Sequence, residues 1–291
     1  MSWCSRARVH FVAFWVLITM VVGCAVPAPP YEVIPLSYTG GVVPLSRAVS
    51  YGPDGDQKAD IYISNAEQGT VVYLHGGGWV LGSRQGLPSL MSYLVTQGWD
   101  VVSIDYRLAR RAPFPTAVHD ASRAVDWVRE RGAAMGLDTE TIVLAGWSAG
   151  ANIAMLAAYG ANAAGFPGGK TSPVDGVISL AGIYDMRSVG LPELDEAGGW
   201  LHSVAGGRQD SSPVVWLDAG DPPTLAAHGV RDPIVPVEQV RAFAAASVRT
   251  GHDRGLTVLE ASSPAFGEAC VGHMPWCGVP VAEVNRFLAD L

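Results

Sequence analysis

Cysteine is scarce, with four residues in 291 at Cys4, Cys24, Cys270 and Cys277, far from the dense disulfide framework of a small secreted scaffold. Charge is sparse too, at 16% of residues, and no basic run interrupts it. With 19 Lys+Arg against 27 Asp+Glu the net charge is −8 and the pI about 5.3, which argues against nucleic acid as a partner, because phosphate recognition needs clustered cations. Long apolar runs are missing as well. Mean hydropathy is +0.22, yet the one sustained apolar stretch, residues 11–22, reaches only roughly 18 Å against a hydrocarbon core of about 30 Å. No H-E-x-x-H, C-x-x-C or D-x-D-x-D-G pattern points to a metal centre, and no repeat of solenoid length is visible. What is abundant is apolar residues, at 49%, together with 34 Gly and 20 Pro lacking collagen's period: a loop-rich globular chain able to fill a large core.

The apolar stretch follows a start containing Arg6 and Arg8 and no acid, the layout of a secretory signal. Val21-Val22-Gly23-Cys24 resembles the bacterial lipobox, so residues 1–23 are expected to be removed and Cys24 to carry lipid. An ordinary cleaved signal and an uncleaved anchor are the other readings. Ala-Val-Pro-Ala-Pro-Pro follows, and residues 24–50 are expected to form a stiff tether that holds a domain of residues 51–291 off a membrane of the bacterial envelope. Cys270 and Cys277 then remain as an even pair in an oxidising compartment, either bonded or as two thiols; a bond would close a small loop around His273.

Beyond residue 50, β-branched runs alternate with amphipathic segments, predicting an α/β fold with a mostly parallel sheet and helices on both faces. Strands are expected at 59–63, 71–75, 101–105, 142–146, 174–180, 224–228 and 256–260. Helices are expected at 89–97, 117–135, 149–161, 237–250 and 281–291, with Pro236 and Pro280 at helix starts.

Two motifs carry chemistry. Gly146-Trp147-Ser148-Ala149-Gly150 fits G-x-S-x-G and sits between an apolar strand and an Ala-rich helix, where a sharp turn can hold a serine hydroxyl up for attack. Chance alone would give about 0.3 such matches in this composition. His75-Gly76-Gly77-Gly78-Trp79, at the end of an earlier strand, is far rarer, at about 0.01. Its side-chain-free backbone can turn amides toward a developing oxyanion, so Gly77 and Gly78, with Ala149 after the serine, are the expected donors. A serine needs a base and an orienting carboxylate. Asp232, just beyond the strand at 224–228, and His273, after the last strand, supply them in chain order; Asp218, Asp221 and His252 precede strands and belong at the opposite edge.

HGGGW, GWSAG, the stretch His228-Gly229-Val230-Arg231-Asp232-Pro233 and Gly272-His273 together resemble the α/β-hydrolase superfamily, in particular the HGGG-bearing carboxylesterases similar to hormone-sensitive lipase and kynurenine formamidase. Asp105-Tyr106-Arg107-Leu108 and the stretch from Pro113 to Asp120 are similar to that group as well, where such residues are mainly structural. The resemblance covers roughly residues 58–291. It implies a serine carboxylic-ester hydrolase acting through Ser148, His273 and Asp232 on a small-molecule ester, with no metal or organic cofactor. An amidase or formamidase using the same triad, or a catalytically silent binding lipoprotein on the same fold, are the alternatives.

Residues 164–171, AGFPGGKT, match a relaxed phosphate-loop pattern in the wrong setting, after a helix and two residues before Pro173. Trp79, Trp147 and Trp276 flank motif residues and are expected either in the core or as walls of an apolar acyl or aryl pocket, and residues 186–212 as part of a small cap. Intact-mass analysis of the mature protein is expected to show lipid on Cys24; a chain that retains residues 1–23, or an unmodified Cys24, would contradict the lipobox reading.

Overall fold

Two clusters of buried apolar side chains lie on opposite faces of one sheet. The structure, a computed structural model, describes residues 41–160, 163–167, 170–187, 209–261 and 280–291. Among these, the strands are β1 (Ser46–Ser50), β2 (Lys58–Tyr62), β3 (Thr70–Leu74), β4 (Asp100–Ile104), β5 (Ile142–Trp147), β6 (Gly176–Leu180), β7 (Thr224–Gly229) and β8 (Leu256–Ala261). They pair in the order β1-β2-β4-β3-β5-β6-β7-β8; β2 runs antiparallel to β1 and β4, and the other pairs are parallel. The helices are α1 (Ser89–Thr96), α2 (Thr116–Arg131), α3 (Ala149–Tyr159), the single turn α4 (Pro213–Trp216), α5 (Glu238–Thr250) and α6 (Val281–Ala289).

The strand alternation sorts side chains between the faces. Val72 and Leu74 of β3 and Ile142 and Leu144 of β5 join α2, α3 and α5; Val71, Tyr73, Val143 and Ala145 join α1 and α6. β3, β4 and β6 are buried along their whole length, as near-continuous Val/Ile/Leu runs require when both faces are covered. Every residue of α3 is buried: its sequence, AGANIAMLAAY, is apolar on all sides and rich in Ala, so it fits between the sheet, α2 and α4.

The expected strands and helices fall within about two residues of those observed, with three corrections. β1 lies inside the stretch expected to be tether, so the sheet begins before residue 51; this half-exposed edge strand, Ser-Arg-Ala-Val-Ser, has no apolar alternation to reveal it. α2 ends at Arg131 rather than 135, the chain continuing as a separate 3₁₀ turn over Ala133–Met135. The turn α4 was not expected; Ser212 precedes it and Pro213 opens it. The tether before residue 41, and with it Cys24, lies outside the described residues. Among the described residues no helix is long and apolar enough to cross a membrane.

The stretches 105–108 and 113–120 tie α2 to the segment before β2 and the segment after β4. Asp120 of α2, fully buried, accepts hydrogen bonds from the Arg107 main-chain N–H (2.8 Å), Arg107 Nη2 (2.5 Å) and Gln57 Nε2 (2.6 Å). Replacing it leaves a guanidinium and an amide without their acceptor. Asp120→Ala is therefore expected to lower the unfolding free energy by about 3–5 kcal/mol, read from urea denaturation; a loss below about 1 kcal/mol would mean that water replaces the carboxylate at little cost.

Candidate active site

β3 connects through α1 to β4 on one side, whereas β4 connects through α2 to β5 on the other, so the direction of winding reverses between β3 and β5. At such a reversal the loops leaving the carboxyl ends of the two strands part and open a crevice. The loop after β3 carries HGGGW and the turn after β5 carries Ser148.

Ser148 occupies the N-cap of α3 with φ 54° and ψ −119°, and is 7% exposed. That backbone costs a non-glycine residue about 1–3 kcal/mol, and its surroundings hold it there. The Ser148 N–H donates to Leu180 O at the end of β6 (2.9 Å), and Ser148 O accepts from the Asn152 N–H (3.1 Å). The flanking glycines are required by space: a Cβ at Gly146 would overlap the Gly150 carbonyl, and one at Gly150 would overlap the carbonyl oxygens of Leu74 and His75. α3 thus starts directly against the end of β3, which brings Ala149, at its first turn, beside the glycine loop.

Within that loop Gly77 and Gly78 have φ of 124° and 57°, and Trp79 follows at 63°. Left-handed backbone at successive residues turns the chain sharply, which glycine does without a side-chain penalty. The turn is closed by Val80 and Leu81 N–H groups donating to Gly77 O (3.1 and 3.0 Å), and by Ala109 N–H donating to Trp79 O (2.8 Å). His75 is buried, its ring stacked on Tyr106 with centroids 4.4 Å apart, and Tyr106 Oη donates to His75 O (2.9 Å). Nδ1 of His75 lies 2.8 Å from Gly76 O and so donates to it; burial pulls the imidazole pKa down and keeps the ring neutral. This histidine braces the loop. Trp79 is buried and Trp147 half-buried, its ring lying over Gly76.

Asp232 lies three residues beyond β7, at the same edge as Ser148, and its side chain is fully buried. Its Oδ1 accepts from the N–H groups of Ile234 (2.8 Å) and Val235 (2.9 Å), an Asx-type turn in which Pro233 offers no competing donor. His228, which sequence reasoning passed over, is buried beside it. Its Nε2 donates to Val235 O (2.8 Å) and lies 3.6 Å from Asp232 Oδ2. The only trace of that role in the sequence is the four-residue spacing to Asp232. Links from Ser148 N–H to Leu180 O and from Ala181 N–H to Ala227 O (2.8 Å) join the ends of β5, β6 and β7, and so tie the serine's strand to the aspartate's. His273, Cys270, Cys277 and Trp276 lie outside the described residues.

The rival groups sit at the opposite edge. His252 precedes β8 and contacts Tyr159 Oη through Nε2 (3.3 Å), while Asp218 and Asp221 precede β7. Residues 163–167 follow α3 rather than a strand, Phe166 there packs on Trp216, and described residues 170–175 lead into β6 rather than a helix; Gly168 and Gly169 of the phosphate-loop pattern lie outside the described residues. A groove of about 760 Å³ lined by Tyr51, Arg123, Trp127 and Lys170 lies along α2, and none of its lining comes from the loops after β3 or β5.

The profile of the BD-FAE family matches residues 59–246, a span that holds both motifs and Asp232. The chain belongs to the BD-FAE family. This BD-FAE chain is 34% identical over 216 residues to Esterase LipC of Mycobacterium tuberculosis, an alignment covering 68% of the chain and 53% of LipC. It spans about half the length of the curated relatives it matches, 53% and 51% for the first two. Among solved structures, Thermogutta terrifontis esterase 2 phosphonylated by sarin is 26% identical with a TM-score of 0.62, covering 77% of this chain and 85% of that one. Esterase B from Lactobacillus rhamnosis superposes with a TM-score of 0.70 at 20% identity, covering 84% and 86%. The BD-FAE chain has the α/β-hydrolase fold.

Asp221 is held apart from this chemistry by its position, yet its titration is unusual. Burial pushes its carboxyl up to about 7, the neighbouring Asp218 charge adding to the effect while a hydrogen bond from the Asp218 N–H (2.7 Å) opposes it. The folded protein keeps a proton there that the unfolded chain, titrating near 3.8, has released. Stability from this group is therefore lost as pH rises from about 4 to 7 and is constant above. Asp221→Asn is expected to stabilise the protein more at pH 8 than at pH 5, measured by urea midpoints; an equal gain at both would contradict the shift.

Proposed function

We propose that this chain is a serine carboxylic-ester hydrolase. The observation that carries the reading is the Ser148 turn, a strained serine at the switch point of the sheet, pressed against a glycine loop by two residues that admit no Cβ. Strain of this kind is retained where a fixed side-chain position matters. The curated relatives named as esterases support the choice of ester as substrate class.

Ser148 Oγ attacks the ester carbonyl carbon while His273 takes its proton, and Asp232 steadies the imidazolium that forms. The amides of Gly77, Gly78 and Ala149 receive the oxyanion, and the positive end of α3 adds to their field. Collapse expels the alcohol, protonated by His273, and leaves an acyl-Ser148 ester. Water, activated by the same histidine, releases the acid and restores the serine. Asp232 suits its part because two main-chain amides already fix the plane of its carboxylate. Residues 1–23 act as a lipoprotein signal in this reading, and Cys24 holds the enzyme at a membrane of the bacterial envelope. A Cys270–Cys277 bond would limit the motion of the loop that carries His273.

Ser148→Ala is expected to abolish ester turnover, by at least about 10³-fold, while circular dichroism and thermal melting stay close to those of the wild type. A fluorophosphonate should add to Ser148 of the wild type and not to the variant, as located by peptide mapping. Unchanged hydrolysis by the variant would sink the mechanism.

A further inference from the structure

The glycine loop must hold its amides still, yet it is built from residues that resist conformational change least. Its return limb supplies the restraint. Arg84 is anchored through four groups: its Nε donates to Asp60 Oδ1 (2.8 Å), Nη1 bonds Asp105 Oδ2, its main-chain N–H donates to Asp105 Oδ1 (2.6 Å), and its carbonyl accepts from Ser103 Oγ (2.8 Å). These partners belong to β2, to β4 and to the residue that follows β4. Asp60 is 1% exposed and also accepts from the Ala48 N–H of β1 (2.8 Å), with Arg47 Nη1 3.8 Å from its Oδ2. The Arg84 side chain is 13% exposed, so the charges face one another with little solvent screening.

The anchor reaches the amides over a short span of chain, in which Leu81 N–H already donates to Gly77 O (3.0 Å). Two residues before Arg84, Gly82 lies so close to the His75 ring and the Gly76 carbonyl that a Cβ on it would overlap both. The return limb therefore packs directly against the outgoing limb of the loop, which Trp147 approaches at Gly76 and the start of α3 approaches at Leu74 and His75. Slack at Arg84 would loosen Gly82 against His75–Gly76, and with it the turn at Gly77 and Gly78.

We propose that Arg84 is a positioning residue for the oxyanion loop, clamped between Asp60 and Asp105 and acting through Gly82 on the backbone that presents Gly77 and Gly78. The inference rests on the ester-hydrolase reading above. Arg84 touches no reacting atom; it fixes donors whose value depends on placement when the charge develops, so its loss falls on kcat and spares KM. A residue that served folding alone would lower the melting temperature and leave kcat unchanged on protein that remains folded.

The test measures kcat and KM on a soluble short-chain aryl ester for Arg84→Ala, Arg84→Lys and Asp105→Asn in the full chain, well below each variant's melting temperature. Arg84→Ala is expected to lose about 10–100-fold in kcat with KM within about threefold of wild type. Arg84→Lys should fall in between, because one ammonium cannot span two carboxylates as a planar guanidinium does. Asp105→Asn keeps an acceptor but drops the charge, and decides the matter if Arg84→Ala does not fold; its kcat should fall about tenfold. Folded variants with kcat within twofold of wild type, or a loss confined to KM, would overturn the clamp. Hydrolysis that survives Ser148→Ala would instead overturn the reading beneath it, and the clamp with it.

Discussion

Everything at the candidate site depends on how closely the start of α3 approaches the end of β3. Gly150 lies against the carbonyl oxygens of Leu74 and His75 with no room for a methyl group, and Gly146 lies against Gly150 in the same way. That approach forces Ser148 into a left-handed backbone and brings the first amide of α3 beside the glycine loop. It is possible because both residues lack Cβ and because α3, buried on every side, is rich in Ala and can pack closely on the sheet's surface. The strain at Ser148 is offset by the packing around it, in which the ends of β5, β6 and β7 are linked by main-chain hydrogen bonds.

Around this contact the polar groups fall into two kinds. Some brace the backbone: His75 stacked on Tyr106, Asp120 gathering Arg107 and Gln57, and Arg84 held between Asp60 and Asp105. They are buried or half-buried and multiply bonded, as charges and amides largely taken out of water must be. Others stand at the carboxyl edge of the sheet with oriented atoms, Ser148 and Asp232 among them. The bracing set is what allows a loop of glycines to be rigid, since glycine itself contributes no stiffness.

Much of the frame was legible in the chain. The Val- and Ile-rich runs at β3, β4 and β5 read as buried strands because both faces are covered, and the amphipathic α2 and α5 read as surface helices because only one side is. Ser148, Asp232 and the HGGGW glycines were expected just after strands and lie there, because strand-end position is a local property that follows from parallel topology. His228 was not found, since a four-residue spacing to Asp232 is too weak a signal to distinguish a buried histidine that braces a turn from one exposed to water. β1 was missed for a similar reason: an edge strand with one covered face and an arginine in it carries almost no pattern.

The sequence by itself determined the kinds of element, their order and the chemistry available at two turns, because hydrophobic period, glycine spacing and strand-end position are all set by near neighbours. Only the tertiary structure decided which carboxylates meet which cations. Asp60, Arg84 and Asp105 are separated by 24 and 21 residues and meet because β2 inserts antiparallel beside β4, while Asp120 and Gln57, 63 residues apart, meet because α2 folds back across the sheet. Ion pairing acts over a few ångströms in space and is indifferent to distance along the chain, so the 27 acidic residues acquire distinct roles only once the strands have taken their order.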